Sequence, residues 1–176
     1  MSLPGQIPSY NRSFNHVGVA VPDCEAAVKW YTDVMGFRKL RESVRIIDRS
    51  KTPDSVIFKI YDDRLQVLKL ALLTTGNGVG FELFEFVEPK MTQCATFDYT
   101  RGGVFHVCFT DPNPDLVAEK VVASGGKKFG DTVNMFGSKE RAVYLQDPWG
   151  NVFEVMSCNF DHAMANRPES PVQVEK

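Results

Sequence analysis

Two histidines stand in matched surroundings, one in each half of the chain: Asn15-His16-Val17-Gly18-Val19-Ala20-Val21 and Phe105-His106-Val107-Cys108-Phe109-Thr110. Strict alternation puts His16 and His106 in the phase opposite to the branched and aromatic residues of their strands. A second matched pair, Phe81-Glu82-Leu83 and Phe153-Glu154-Val155, places a carboxylate in that same phase. Two imidazoles and two carboxylates form a mixed nitrogen and oxygen donor set for Zn, Ni, Co, Mn or Fe(II), with room left for water or substrate. A single strand histidine is more often a hydrogen-bonded core residue. Here the chain has only three histidines, and two occupy equivalent points of a repeat, which favours the metal reading. Glu85, three residues beyond Glu82, takes the other face of its strand, and His162 falls in the C-terminal segment, so neither is expected to be a ligand.

The elements that must position these groups are also stated twice. Strands are expected near 13–21, 37–47, 65–72 and 79–87 in the first half, and near 103–110, 127–133, 140–146 and 151–157 in the second. Helices are expected over 24–35, capped by Asp23 and stopped by Gly36, and over 113–124, with Pro114 in its first turn and Gly125-Gly126 at its end. Residues 54–62 read as a short helix, 88–101 as a linker broken by Pro89, and Asp147-Pro148-Trp149-Gly150-Asn151 as a tight turn. Residues 1–12 and 161–176 read as loose tails. The fold class is therefore α+β, with two βαβββ modules at 13–89 and 103–158. Each sheet has one helix-covered face and one open face, and the open faces curl together into an open barrel around the metal site.

At 176 residues the chain suits two half-size modules sharing one core. A net charge of −2 gives no electrostatic case for nucleic acid or an anionic membrane. No apolar run approaches a membrane span, and the N-terminus lacks the pattern of a secretory signal, so a cytoplasmic protein with a small-molecule partner is expected. Cys24, Cys94, Cys108 and Cys158 have no C-x-x-C spacing and are expected as thiols. The ligands' phase also holds Gly18, Ala20, Phe84, Phe86, Cys108 and Met156, a largely apolar cavity wall with Trp149 and Arg141 near its mouth.

These motifs, with Trp30-Tyr31-Thr32-Asp33-Val34-Met35-Gly36-Phe37 and Asp147-Pro148-Trp149-Gly150-Asn151-Val152-Phe153-Glu154, resemble the vicinal oxygen chelate superfamily over about 13–158. That superfamily includes glyoxalase I, methylmalonyl-CoA epimerase, extradiol dioxygenases, and fosfomycin- and bleomycin-resistance proteins. The resemblance implies paired βαβββ modules around one divalent metal, with ligands at His16, Glu82, His106 and Glu154. A His, Glu, His, Glu set is similar to bacterial glyoxalase I and its lyase and isomerase relatives. One position departs: glyoxalase I carries an arginine for glutathione four residues after its first histidine, and this chain has Ala20.

The activity so implied is that of a metal-dependent lyase or isomerase of lactoylglutathione lyase type, moving a proton beside a metal-chelated oxygen. Glu154 is the expected base and Glu82 the second choice. The alternatives are an Fe(II) extradiol-type dioxygenase using His16, His106 and Glu154, an epimerase of methylmalonyl-CoA type, and a non-catalytic binding protein of the bleomycin-resistance type. A homodimer is compatible with all of them.

Overall fold

The computed structural model describes residues 11–92, 97–135 and 138–165. Its elements are β1 (His16–Ala20), α1 (Cys24–Met35), β2 (Arg38–Lys39), β3 (Arg45–Asp48), α2 (Ile57–Ile60), β4 (Val67–Thr74), β5 (Gly80–Glu88), β6 (Val107–Thr110), α3 (Pro114–Ala123), β7 (Lys127–Asn134), β8 (Arg141–Gln146), β9 (Val152–Met156) and α4 (Phe160–Met164). Helix α1 starts where the Asp23 carboxylate accepts the Ala26 N–H at 2.9 Å, and stops at Gly36, whose φ of 68° favours glycine. Asn113 caps α3 in the same way through the Leu116 N–H.

The first sheet runs β1-β5-β4-β2, with β3 also on β4, and the second runs β6-β9-β8-β7. In each, the first strand lies parallel to the last, β1 on β5 and β6 on β9, while the other pairings are antiparallel. The α+β class and the repeated layout are as expected, although the two sheets do not close on one another. Among the described residues, β1 and β6 each end a sheet, so each leaves one backbone edge without a strand partner there.

One core spans both halves. Tyr31, Phe81 and Leu83 pack with Val121, Val143, Leu145, Phe153 and Val155 on the helix-covered faces. Burying each such side chain contributes about 1.5–3 kcal/mol. Two directed bonds tie α1 to the second half: the Tyr31 hydroxyl donates to Asp147 at 2.8 Å, and Trp30 Nε1–H to the Ser124 carbonyl at 2.9 Å.

Three expectations need correction. The strand expected over 37–47 is two short strands, because the exposed polar run Arg41-Glu42-Ser43 leaves the ladder between them. His106 precedes β6 rather than lying in it. Residues 161–164, expected in a loose tail, form α4 together with Phe160, a helix that Asn159 caps and that buries Ala163 against Met156 and Ala142. The remainder of that tail, 166–176, and residues 1–10 lie outside the described residues. Among the described residues no helix is long and apolar enough to cross a membrane.

Candidate functional site

The β1/β5 register sets His16 opposite Gly80 and Gly18 opposite Glu82, so the histidine and the glutamate are diagonal neighbours on the open face. His16 Nε2 lies 3.6 Å from Glu82 Oε2, and His16 Nδ1 lies 2.6 Å from Asn15 Oδ1. With the proton on Nδ1 and donated to Asn15, the Nε2 lone pair points toward Glu82, as a ligating imidazole requires. Gly80 makes this placement possible, since a Cβ there would sit 2.8 Å from the His16 Cβ.

The second half repeats the diagonal. Cys108 lies opposite Glu154, and His106, two residues earlier, brings Nε2 to 3.4 Å from Glu154 Oε2. The surroundings differ. On the far side of Glu154 its antiparallel partner is Tyr144, whose hydroxyl stands 3.4 Å from His106 Nε2, where the first half has Leu72 opposite Glu82. The His106 ring lies between those of Phe105 and Tyr144, and its Nδ1 is buried with no hydrogen-bond partner among the described residues. This pair is the more enclosed, with side chains 24% and 12% exposed against 51% and 29% for His16 and Glu82.

Charge on Glu154 reaches its neighbours. Burial of the sulfur, followed by the Glu154 carboxylate, pushes the Cys108 thiol up to about 12, although the residue as a whole is exposed. At neutral pH Cys108 is a protonated donor and no nucleophile. Burial and then Glu154 also raise the Tyr144 phenol above its ordinary value. Tyr144 is absent from the sequence reading, yet its position was recoverable: the 147–151 turn pairs Gln146 with Val152, and counting back from it puts Tyr144 against Glu154.

Each pair fits half of a metal site. Two ligands about 2.1 Å from one ion at a tetrahedral angle lie about 3.4 Å apart, matching separations of 3.6 and 3.4 Å that are too long for good hydrogen bonds. The pairs do not merge within one chain. Among the described residues, the groups of three or more metal-ligating side chains with donor atoms within 4.8 Å of one another are Glu140/Cys158/His162 and Asp23/Glu25/Glu85. The quartet His16, Glu82, His106, Glu154 is neither of these.

The other sequence-selected residues divide. Gly18, Ala20 and Cys108 are exposed on the open faces, but Phe84 and Phe86 pack against a small second core of Ile47, Phe58, Leu65 and Leu68, so that wall is partly covered. Met156 is not a wall residue, being 3% exposed beneath Ala163 of α4. Trp149 packs on Trp30 and Tyr31 rather than at a mouth, and Arg141 is paired with Asp115 of α3. Glu85 does take the opposite face, accepting the Cys24 N–H at the start of α1 and pairing with Lys69. A groove of about 1040 Å³ lies along the edge that leads into β6, lined in part by Phe14, Val17, Gly80, Val104, His106 and Cys108. Of the quartet it reaches His106 alone. A smaller cavity of about 380 Å³, against Glu25, Lys39 and Leu72, touches none of the four.

Residues 13–155 match the family model of the Glyoxalase/Bleomycin resistance protein/Dioxygenase superfamily. The chain belongs to that superfamily. Among relatives, this glyoxalase-superfamily chain is 26% identical over 159 residues to a 2-epi-5-epi-valiolone epimerase of Actinomyces, covering 88% of this chain and 81% of that protein. A glyoxalase family protein from Bacillus cereus shares its fold with a TM-score of 0.68 at 16% identity, covering 86% of this chain and 97% of that one. A fosfomycin resistance protein from Listeria monocytogenes, crystallised with Mn(II) and sulfate, aligns with a TM-score of 0.57 at 12% identity, over 86% and 97% of the two chains.

Proposed function

We propose that this chain is a divalent-metal-dependent isomerase that epimerises a small polyhydroxy ketone by removing and returning a proton at the carbon next to its carbonyl. The observation that carries the reading is the diagonal His/Glu pair, His16–Glu82 at 3.6 Å and His106–Glu154 at 3.4 Å, repeated in matched register on two open faces. The substrate class is taken from the epimerase relative, and the metal has its precedent in the Mn(II)-bound structural neighbour.

His16 and His106 would hold the ion through Nε2, with Glu82 and Glu154 as the oxygen ligands. A divalent cation bound there supplies Lewis acidity that stabilises negative charge developing on a substrate oxygen. Glu154 is the principal base, since it is the less exposed carboxylate and stands between the Cys108 thiol and the Tyr144 hydroxyl. Glu82 is its counterpart. One carboxylate removes the proton from one face of the carbon and the other returns it from the opposite face, which inverts that centre. Apolar Phe84 beside Glu82 limits water on that side.

The site is completed by a second copy of the chain, whose His106/Glu154 pair meets this chain's His16/Glu82. Supporting this are the separation of the two pairs within one chain and the edges of β1 and β6 that no strand among the described residues covers. Beside those edges stand exposed Phe14, Val104 and Phe105.

The test is solvent deuterium exchange into 2-epi-5-epi-valiolone, followed by NMR with Mn²⁺, Co²⁺, Ni²⁺ or Zn²⁺ supplied. Exchange beside the carbonyl is expected, lost with chelator and in Glu154→Gln, with that variant still retaining most of its metal. Full activity in Glu154→Gln overturns the assignment of the base. Oxygen uptake with a catechol, without exchange into the ketone, replaces the isomerase reading with the dioxygenase one.

A further inference from the structure

A second donor cluster lies at the C-terminal end of the second sheet. Glu140 immediately precedes β8, Cys158 follows β9 by two residues, and His162 lies in α4. Their ligand atoms are all within 4.8 Å of one another. His162 Nε2 stands 3.6 Å from Glu140 Oε1, too far for a good hydrogen bond but suited to two ligands sharing one ion.

The local structure aims these groups. The Ser157 hydroxyl donates to Glu140 Oε2 at 2.5 Å, leaving Oε1 on the His162 side. Asn159 Oδ1 accepts the His162 N–H at 2.8 Å, which fixes the first turn of α4 and with it the four-residue step from Cys158 to His162. Beneath them lies an apolar floor of buried Ala142, Met156 and Ala163, with Met135, Cys158 and Met164 packed around it. Oriented carboxylate ligands over an apolar floor are a recurring feature of metal sites.

We infer that Glu140, Cys158 and His162 bind a thiophilic divalent cation of the Zn²⁺ class, separate from the His16/Glu82/His106/Glu154 set, and that the ion pins α4 onto the second sheet. Thiolate, imidazole and carboxylate together select Zn²⁺ or Co²⁺ over Mg²⁺ or Ca²⁺, and three protein ligands leave a fourth position for water. Both anionic ligands together neutralise the ion's charge. Binding releases the thiol proton, so affinity rises with pH.

The experiment is peptide-resolved alkylation of untagged full-length protein with and without Zn²⁺, paired with Co²⁺ titration. Zn²⁺ should protect Cys158, and Mg²⁺ should not. Protection should persist in the His16→Ala/His106→Ala double variant and disappear in His162→Ala. The near-ultraviolet cobalt-thiolate band should survive Cys108→Ser and vanish in Cys158→Ser, while Glu140→Gln weakens Co²⁺ binding by about tenfold or more. Labelling of Cys158 at the same rate with and without Zn²⁺, or a band that persists in Cys158→Ser, overturns the inference. Because this cluster shares no ligand with the quartet, its failure leaves the isomerase reading untouched, and loss of ketone exchange leaves this one untouched.

Discussion

The Tyr31 hydroxyl donates a 2.8 Å hydrogen bond to Asp147 Oδ2, joining the first helix to the turn before the last strand through two fully buried side chains. Asp147 is otherwise spent on its own turn, accepting the N–H groups of Trp149 and Asn151 on Oδ1 and the Asn151 side-chain amide on Oδ2. The contact therefore reports how the two halves are held together.

Removing it is expected to destabilise without disabling. Tyr31→Phe keeps the ring stacked on Phe37 but leaves a buried carboxylate one donor short, a loss of about 1–3 kcal/mol. Denaturant unfolding should give a lower midpoint, with ketone exchange per folded molecule unchanged. An unchanged midpoint would mean that this bond adds nothing to holding the halves together.

Stability should also fall at alkaline pH. Burial first, and then Asp147, raise the Tyr31 phenol well above 10.0; burial, and then Glu25 and Glu85, push the Cys24 thiol from 9.0 up to about 12. Below pH 9 both groups are protonated, folded or unfolded, and the contribution is complete. Between about 9 and 12 the unfolded chain releases these protons before the folded one, so stability drops as pH rises. Melting temperature measured from pH 8 to 11 should decline, less steeply in Cys24→Ala. A flat profile in the wild type contradicts this.

Much of this arrangement was legible in the residues. Alternation put His16, Glu82 and Glu154 in one phase, and cap chemistry at Asp23 and Gly36 marked α1 to its ends. The segment 160–164 was missed because a five-residue helix has too few positions for periodicity to register, and its one buried residue is an alanine. Tyr144 was missed because its role comes from a neighbour across a hairpin rather than along the chain. Nor does phase along a strand tell whether two open faces meet within one chain or across two, and that is where the quartet separates.

Glycine at position 80 gives a sharp local test of the first pair. A Cβ there would lie 2.8 Å from the His16 Cβ, so Gly80→Ala must move the histidine, while Gly76→Ala meets nothing within 4 Å. Metal affinity and exchange should drop by about tenfold or more in the first variant and hold in the second. Equal behaviour of the two would remove His16 from the site.

Metal should stabilise the fold by mass action. At 100 times its dissociation constant a bound ion contributes about 2.7 kcal/mol, so chelation should lower the melting temperature. With Mn²⁺ supplied as the sole metal, His16→Ala and His106→Ala should each abolish most of that response, since each removes a nitrogen ligand and the Glu140/Cys158/His162 set favours Zn²⁺ or Co²⁺. Chelation that leaves the wild-type melting temperature unchanged would count against the metal.

Mixing those two variants decides where the site is assembled. If one chain's His16/Glu82 pair meets a second chain's His106/Glu154 pair, neither variant alone has a complete site. A heterodimer of the two has one intact site of its two, because the chain lacking His16 still offers His106, and its partner still offers His16. With random exchange half the dimers are mixed, so the 1:1 mixture should recover about a quarter of wild-type activity. Light scattering should report a dimer throughout. A mixture as inactive as its components, with subunit exchange verified by mass spectrometry, would mean that each chain gathers its own four ligands, and closure of the two sheets onto one another would then have to bring the pairs together.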